Sequence, residues 1–499
     1  MVIDLGLIDP ALTGRELTAG RLTHDSRRIQ PGDVFAVLRS QDAAVHTHIQ
    51  GALDRGAQAV LAPVELAAEF ADDRVIGLAD FATAIGSVAS QWYGNPSADL
   101  FIVGVTGTNG KTSTVQVLAQ AWHALGAVSA TIGTLGAAVH GDELTLNGFT
   151  TPPVTRVHEL LAHFRDRGVT HVGMEVSSHA LQEHRVAGVE FDVVGFTNLT
   201  RDHLDYHGTM EHYAAQKAKI FDLPGGAGAD WPLAVGNLDD AFVAARLSSL
   251  DPARPRVGVS SRGAAGAQIS AESLRFEPAA TSFELVVGDD RIPTSTPLIG
   301  QFNVDNFLIA VAALRHQGVP MAEVAALAPT LAPVHGRMTR IRPDASLPTV
   351  VVDAGHTPDA LRQALAAVND YTFERVITVF GCTGDRDPGK RPEMAKIAED
   401  ASDVIIVTDD DVHDEDGDAI VRDILAAMRH PGAVTVERDR TTAVGIAIRM
   451  AGPNDVVLLA GKGHEPMQIV ADHVEIPYSD IETAQRLLAE LLAERAVVS

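Results

Sequence analysis

The segment Gly104-Val105-Thr106-Gly107-Thr108-Asn109-Gly110-Lys111-Thr112 constrains this chain more than any other feature. It emerges from the apolar run Leu100-Phe101-Ile102-Val103-Gly104-Val105, a buried-strand pattern, and leads into a helical stretch over residues 113–125. A strand that passes through a glycine-rich turn into a helix belongs to a parallel α/β domain. The GxxxxGK[ST] spacing lets backbone N–H groups curl around phosphate oxygens, and the helix N-terminus adds a favourable dipole. Gly107, Thr108, Asn109 and Gly110 are the expected cradle. Lys111 is expected to reach the β- and γ-phosphates, and the Thr112 hydroxyl to ligate Mg²⁺. ATP or GTP binding follows from this segment, but the reaction does not.

At 499 residues the chain exceeds one ordinary core and points to about three domains. Turn chemistry at Gly94-Asn95-Pro96-Ser97 separates a small N-terminal α/β unit, residues 1–98, from a central P-loop unit with a parallel sheet, residues 99–333. Strands are expected at 169–176 and 191–196. A β-rich insertion is expected over about 255–298, followed by a helix near 306–315. The segment Ala332-Pro333-Val334-His335-Gly336-Arg337 opens a Rossmann-like third unit, residues 334–499. Strand candidates at 349–352, 376–380, 404–407, 434–436 and 456–459 alternate there with helical stretches, the pattern of a mostly parallel sheet. The fold class is α/β, in three domains.

A formal net charge of -26 disfavours broad polyanion surfaces, so no nucleic-acid or anionic-membrane partner is expected. No apolar stretch reaches the roughly 20 residues that span a bilayer, and the start lacks a basic region with a long apolar core. The single cysteine, Cys382, excludes an intramolecular disulfide and fits a reducing compartment. It is expected to be a packed residue. A cytoplasmic monomer is the expectation.

Polar groups cluster where strands are expected to end. Glu175 closes one run in Met174-Glu175-Val176-Ser177-Ser178-His179, and Asn198-Leu199-Thr200-Arg201-Asp202-His203 closes another. Ligands in open α/β sheets collect outside the carboxyl ends of the strands. Mg²⁺ bound with phosphates takes few protein oxygens. With these, His24-Asp25-Ser26-Arg27, Thr150-Thr151-Pro152, Tyr213-Ala214-Ala215-Gln216-Lys217, Asn303-Val304-Asp305-Asn306, Gly336-Arg337-Met338, residues 384–392 and Gly461-Lys462-Gly463-His464-Glu465 follow in an order that resembles the Mur ligase family, MurE type.

That resemblance implies an ATP-dependent ligase of peptidoglycan precursor synthesis. ATP would phosphorylate the free carboxylate of a UDP-MurNAc-dipeptide, and a free amino acid would then attack the acyl phosphate. It implies Lys111, Glu175, His203 and Lys217 as catalytic residues. Thr112 and Glu175 would hold one Mg²⁺ and His203 a second, with Lys217 carbamylated to an anionic ligand (N6-carboxylysine). On the residues alone, Lys217 and Lys219 are equally eligible solvated helix lysines. Asn306, Arg337 and Asp353 would contact the nucleotide, with His356 a weaker candidate, and a lid-like closure would exclude water. Ser26 and Arg27 would take the uridine end, and Thr150, Thr151, Ser177 and Arg185 the sugar, peptide or phosphate. Residues 39–48 and Ala354 depart from the family pattern.

Arg386, Asp411, His413, Gly461 and Glu465 are the expected amino-acid contacts. In MurE enzymes that use meso-diaminopimelate, an Asp-Asn-Pro-Arg motif typically pairs its Arg with the distal carboxylate. Here the stretch reads Asp409-Asp410-Asp411-Val412-His413-Asp414-Glu415-Asp416, with His413 at the Arg position. An imidazole lacks the guanidinium's permanent charge and two-pronged geometry. Dense negative charge would attract a bare side-chain ammonium, so L-lysine is expected first, L-ornithine second and diaminopimelate as the alternative. A folylpolyglutamate-synthase-like ligase shares the phosphate loop, and a non-catalytic nucleotide-binding regulator is the reading from another class. Lys111, Glu175, His203 and Lys217, all present, oppose the regulator.

Overall fold

Runs of Val, Ile and Ala separated by amphipathic helices produce mainly parallel sheets in the computed structural model. It describes residues 2–498 apart from 19, 146, 147, 227, 278, 279 and 335. His335, in the segment expected to open the third unit, lies outside the described residues. The chain divides into two compact units. The first holds residues 1–199, 203–259 and 312–317, and the second holds 200–202, 260–311 and 318–499.

The first unit contains two major sheets. Four parallel strands, Leu22–Thr23, Val34–Ala36, Ala59–Pro63 and Val75–Leu78, lie side by side in that order. Their alternate side chains feed two apolar clusters, one with Ile85 and Val88 of the helix Phe81–Trp92 and one with Ile49 and Leu53 of the helix Val45–Asp54. In the larger sheet the strand Phe101–Thr106 sits between His171–Glu175 and Val193–Phe196, parallel to both. Its register pairs Val105 with Glu175 and Thr106 with Phe196. The loops after all three strands therefore leave the same edge, where α/β sheets bind ligands. The expected strands at 169–176 and 191–196 shorten by two or three residues as the chain enters turns.

In the second unit the strands Thr339–Ile341, Thr349–Asp353, Val456–Ala460, Val376–Phe380, Val404–Val407 and Thr435–Val436 form one sheet, parallel except for the first. Successive residues point to opposite faces, and both faces are apolar. Val351 and Leu458 pack with the helices Pro358–Asn369, Lys390–Ala401 and Gly417–Ala426, while Val350, Val352 and Leu459 pack with Arg440–Met450 and the helix from Asp480. The β-rich insertion is an antiparallel meander, Ile269–Glu277, Ala280–Val287 and Asp290–Thr296, grouped with this unit. The helix expected near 306–315 runs Gln301–His316.

Cys382 is buried beside Met394, its sulfur 3.8 Å from that thioether. Burial pushes its thiol up to about 12. Among the described residues, no helix is long and apolar enough to cross a membrane.

Candidate active site

The phosphate-loop segment adopts the backbone that its glycines permit. Gly107 has φ +148° and Gly110 φ +89°, and a Cβ on Gly107 would lie 1.8 Å from Thr197 Oγ1. The loop is fastened by Asn198: Thr108 N–H donates to its carbonyl at 2.9 Å, and Asn109 N–H to Oδ1 at 3.0 Å. Lys111 opens the helix Lys111–Ala124, and its Nζ donates to Gly107 O at 2.8 Å and Thr108 O at 2.9 Å. Lys217 Nζ donates to the same Gly107 oxygen at 2.7 Å. Two lysines thus meet on one carbonyl. Lys217 is 1% exposed and lies over the Tyr213 ring, and Tyr213 OH shares a hydrogen bond with Thr108 Oγ1. Lys219, by contrast, sits at the C-cap of the helix Met210–Ala218 and is half-buried.

Glu175 ends its strand fully buried. Its Oε1 accepts from Thr134 N–H at 2.9 Å and its Oε2 from Thr134 Oγ1 at 3.2 Å. Gly133 must lack a side chain, because a Cβ there would lie 2.2 Å from Glu175 Oε1. Thr134 Oγ1 also meets Thr150 Oγ1 at 3.1 Å. Thr151 Oγ1 donates to Glu175 O at 2.8 Å and accepts from Ser177 N–H at 3.0 Å, while Arg185 donates to Thr151 O at 2.9 Å and stacks over Phe149. Thr150, Thr151, Ser177, Arg185 and Glu175 therefore form one network, with Thr134 the member that sequence reasoning missed. His203 lies at φ +51° before the short helix Leu204–His207, 5.2 Å ring to ring from His179.

Among the described residues, no three His, Cys, Asp or Glu side chains converge as a metal-binding group. Mg²⁺ bound with phosphates takes a few hard oxygen ligands from the protein. Thr112, buried on the first turn of its helix, and the Glu175 carboxylate are hard oxygen donors of the right chemistry. An ammonium at Lys217 would repel a cation, whereas a carbamate there would bind one. Thr112 and Glu175 are thus residues that fit Mg²⁺.

Ser26 and Arg27 form the turn Ser26–Arg28, capped by Asp25. The Arg27 guanidinium is exposed and grips Asp25 with both Nε and Nη2, at 2.9 and 3.0 Å. The stretch Val45-His46-Thr47-His48 is helical, with His46 paired to Glu69.

In the second unit Asp353 is buried, accepting from Met338 N–H at 2.9 Å and Gly355 N–H at 2.8 Å. Burial pushes its carboxyl up, against the pull of Arg337 and the two N–H groups. Arg337 Nε is buried with no partner among the described residues. Asn306 donates to Asn303 Oδ1 at 3.3 Å within the helix Gln301–His316. His356 Nδ1 lies 3.0 Å from Ala354 O.

The acidic run 409–416 corrects one expectation. It is not a block of open negative charge, because cations distant in sequence neutralise much of it. Asp409 pairs with Arg438 (2.8 Å), Asp411 with Lys462 (2.8 Å) and Glu415 with Arg391 (2.7 Å), while Asp416 caps the helix Gly417–Ala426. Burial acts to raise the Asp410 carboxyl, but Arg440 and Lys462 outweigh it and hold it below the usual range. His413 takes φ +50°, Gly461 φ +121° close to Asp410, and Arg386 is exposed with no ion pair among the described residues. Glu465 joins Lys462 at 2.6 Å. Lys462, which sequence reasoning passed over, is signalled only by the glycines on either side of it.

The family model for the Mur ligase middle domain matches residues 105–314, and that for the Mur ligase, glutamate ligase domain matches residues 336–463. The chain is 47% identical over 484 residues to a UDP-N-acetylmuramoyl-L-alanyl-D-glutamate--2,6-diaminopimelate ligase of Xylella fastidiosa, covering 97% of this chain and 96% of that protein. It is 42% identical over 477 residues to the Pseudomonas aeruginosa protein of the same name, covering 95% and 96%. A solved structure of a ligase so named aligns with a TM-score of 0.73 at 30% identity, over 99% of this chain and 100% of that one. The chain belongs to the Mur ligase family and is of the MurE type.

Proposed function

We propose that the chain is a cytoplasmic ATP-dependent ligase that joins a diamino acid to UDP-N-acetylmuramoyl-L-alanyl-D-glutamate. The observation that carries this reading is the meeting of Lys111 and Lys217 on the Gly107 carbonyl, at the sheet edge that also holds Glu175. In this reading residues 1–98 bind the UDP end through Ser26 and Arg27, residues 99–333 bind ATP, and residues 334–499 bind the amino acid. Arg27 would exchange its Asp25 partner for substrate, and Arg185 with Thr150, Thr151 and Ser177 would hold the sugar–peptide.

The free carboxylate oxygen attacks the γ-phosphorus and ADP leaves. The amino acid's amine then attacks the acyl phosphate, loses a proton and expels phosphate. Lys111 and the N–H groups of residues 107–110 stabilise charge on the transferring oxygens. Asn306, Arg337 and Asp353 contact the rest of the nucleotide. Thr112 and Glu175 would hold one Mg²⁺ and His203 a second, with the Lys217 carbamate as an anionic oxygen donor, and the bound metal would supply positive charge to the transferring phosphoryl group.

For the acceptor we propose L-lysine ahead of L-ornithine, because His413 cannot clamp a distal carboxylate as a guanidinium does. The second reading is 2,6-diaminopimelate, the amino acid in the relatives' names, and the exposed Arg386 favours it. ADP release with ATP, Mg²⁺ and the UDP-dipeptide tests both. Turnover with lysine alone supports the first and preference for diaminopimelate the second, while no turnover with any diamino acid removes the ligase reading. His413→Arg is expected to improve kcat/KM for diaminopimelate relative to lysine by about tenfold or more, the value of one charge-assisted hydrogen bond. An unchanged ratio would take His413 out of selection.

A further inference from the structure

Lys462, in the second unit, is a buried charge at 0% exposure. It follows the strand Val456–Ala460 between Gly461 and Gly463, whose φ values of +121° and +56° turn the chain so that the lysine points inward. Gly463 has no room for a side chain, since a Cβ there would lie 2.3 Å from that of Ala354. The Lys462 Nζ lies 2.8 Å from Asp411 Oδ1 and 2.6 Å from Glu465 Oε2. Burial acts to lower its pKa, but the bonds from Asp411 and Glu465 outweigh that and keep it charged.

Each carboxylate commits one oxygen to the protein. Asp411 Oδ1 takes both Lys462 and the Ile469 N–H, at 2.7 Å for the latter. Asp411 Oδ2 and Glu465 Oε1 have no partner among the described residues, and the two side chains keep 14% and 43% exposure. Without the ammonium, Asp411 and Glu465 would repel one another beside the ionised, buried Asp410.

We propose that Lys462 is a positioning residue for amino-acid selection, holding Asp411 and Glu465 by one oxygen each so that the other oxygen of each receives a substrate ammonium. This rests on the assignment of Asp411 and Glu465 to the amino-acid site. Lys462 itself touches no substrate. A loop staple with no part in recognition would also be buried and paired, so the test must separate recognition from folding.

Steady-state ADP release by the full-length enzyme, with each substrate varied in turn, does so. Lys462→Met is expected to raise KM for the amino acid about ten- to hundredfold, the worth of charge-assisted hydrogen bonds. KM for ATP and for the UDP-dipeptide should each stay within about twofold, as for groups remote from the change. Lys462→Arg, which keeps the charge but not the geometry, should show a smaller rise of the same selectivity, and it carries the test if the Met variant does not fold. Combining Lys462→Met with Glu465→Gln should do little more than the worse single change, because both act on one carboxylate. The proposal fails if all three KM values move together, if the amino-acid KM does not move, or if the two changes multiply. A wild-type enzyme that turns over no amino acid would instead remove the underlying ligase reading.

Discussion

Lys217→Ala is expected to lower kcat by about 10²–10³-fold, the usual consequence of deleting a group that organises transition-state charge, with the chain still folded. The reason lies in the Gly107 carbonyl. Lys111 and Lys217 both donate to it, so two ammonium groups would face the same phosphate pocket from adjacent positions. An ammonium as buried as Lys217 is costly to keep. Addition of its neutral amine to CO₂, with loss of one proton, would convert it to an anion able to attract a metal ion. Activity should fall in CO₂-depleted buffer and return with bicarbonate, and ¹³C-bicarbonate should give one carbamate resonance that Lys217→Ala lacks. Short carboxylic acids should restore part of the variant's rate. Wild-type kcat in Lys217→Ala would remove the carbamate from the mechanism.

Asp480→Ala is expected to destabilise the second unit by about 3–5 kcal/mol, the range for breaking a buried ion pair from one side. Arg440 and Asp480 are both fully buried, joined at 2.9 and 2.7 Å. Arg440 also donates to Ala460 O at 3.0 Å, and Tyr478 OH donates to Asp480 at 2.7 Å. Removing the carboxylate leaves a buried guanidinium without its ion-pair partner, holding only backbone oxygens such as Ala460 O. Replacing both partners with apolar residues of similar volume should cost less than either single change, since neither member of the pair is then left behind, and Lys462 still faces Asp410. Denaturant titration of the variants gives the comparison, and a loss below about 1 kcal/mol for Asp480→Ala would mean that water reaches Arg440.

The parallel sheets were legible because both of their faces are apolar. The runs at 376–380 and 404–407 carry their strand assignment in local composition, and the phosphate loop carries its own flanks. What escaped is what depends on partners far along the chain. The run 409–416 shows six carboxylates, but Arg391, Arg438 and Lys462, which neutralise half of them, enter from other elements. Charge signs are written in sequence; pairings are not. The Arg440–Asp480 pair, 40 residues apart, is invisible for the same reason. Lys217 and Lys219 look alike until the helix face is known, and only Lys217 turns inward. Thr134 and Lys462 lacked any local signal beyond a neighbouring glycine.

Cys382, sealed against Met394 with its thiol pushed up to about 12, gives the second unit a built-in clock. Alkylating reagents need an exposed thiolate, and the chain offers no second cysteine to confuse the signal. Each modified molecule therefore records one opening event of residues around the strand Val376–Phe380. The rate of single-site alkylation, followed by intact mass, becomes a stopwatch for this half of the enzyme, and an amino acid bound there would be seen to slow it before any turnover is measured.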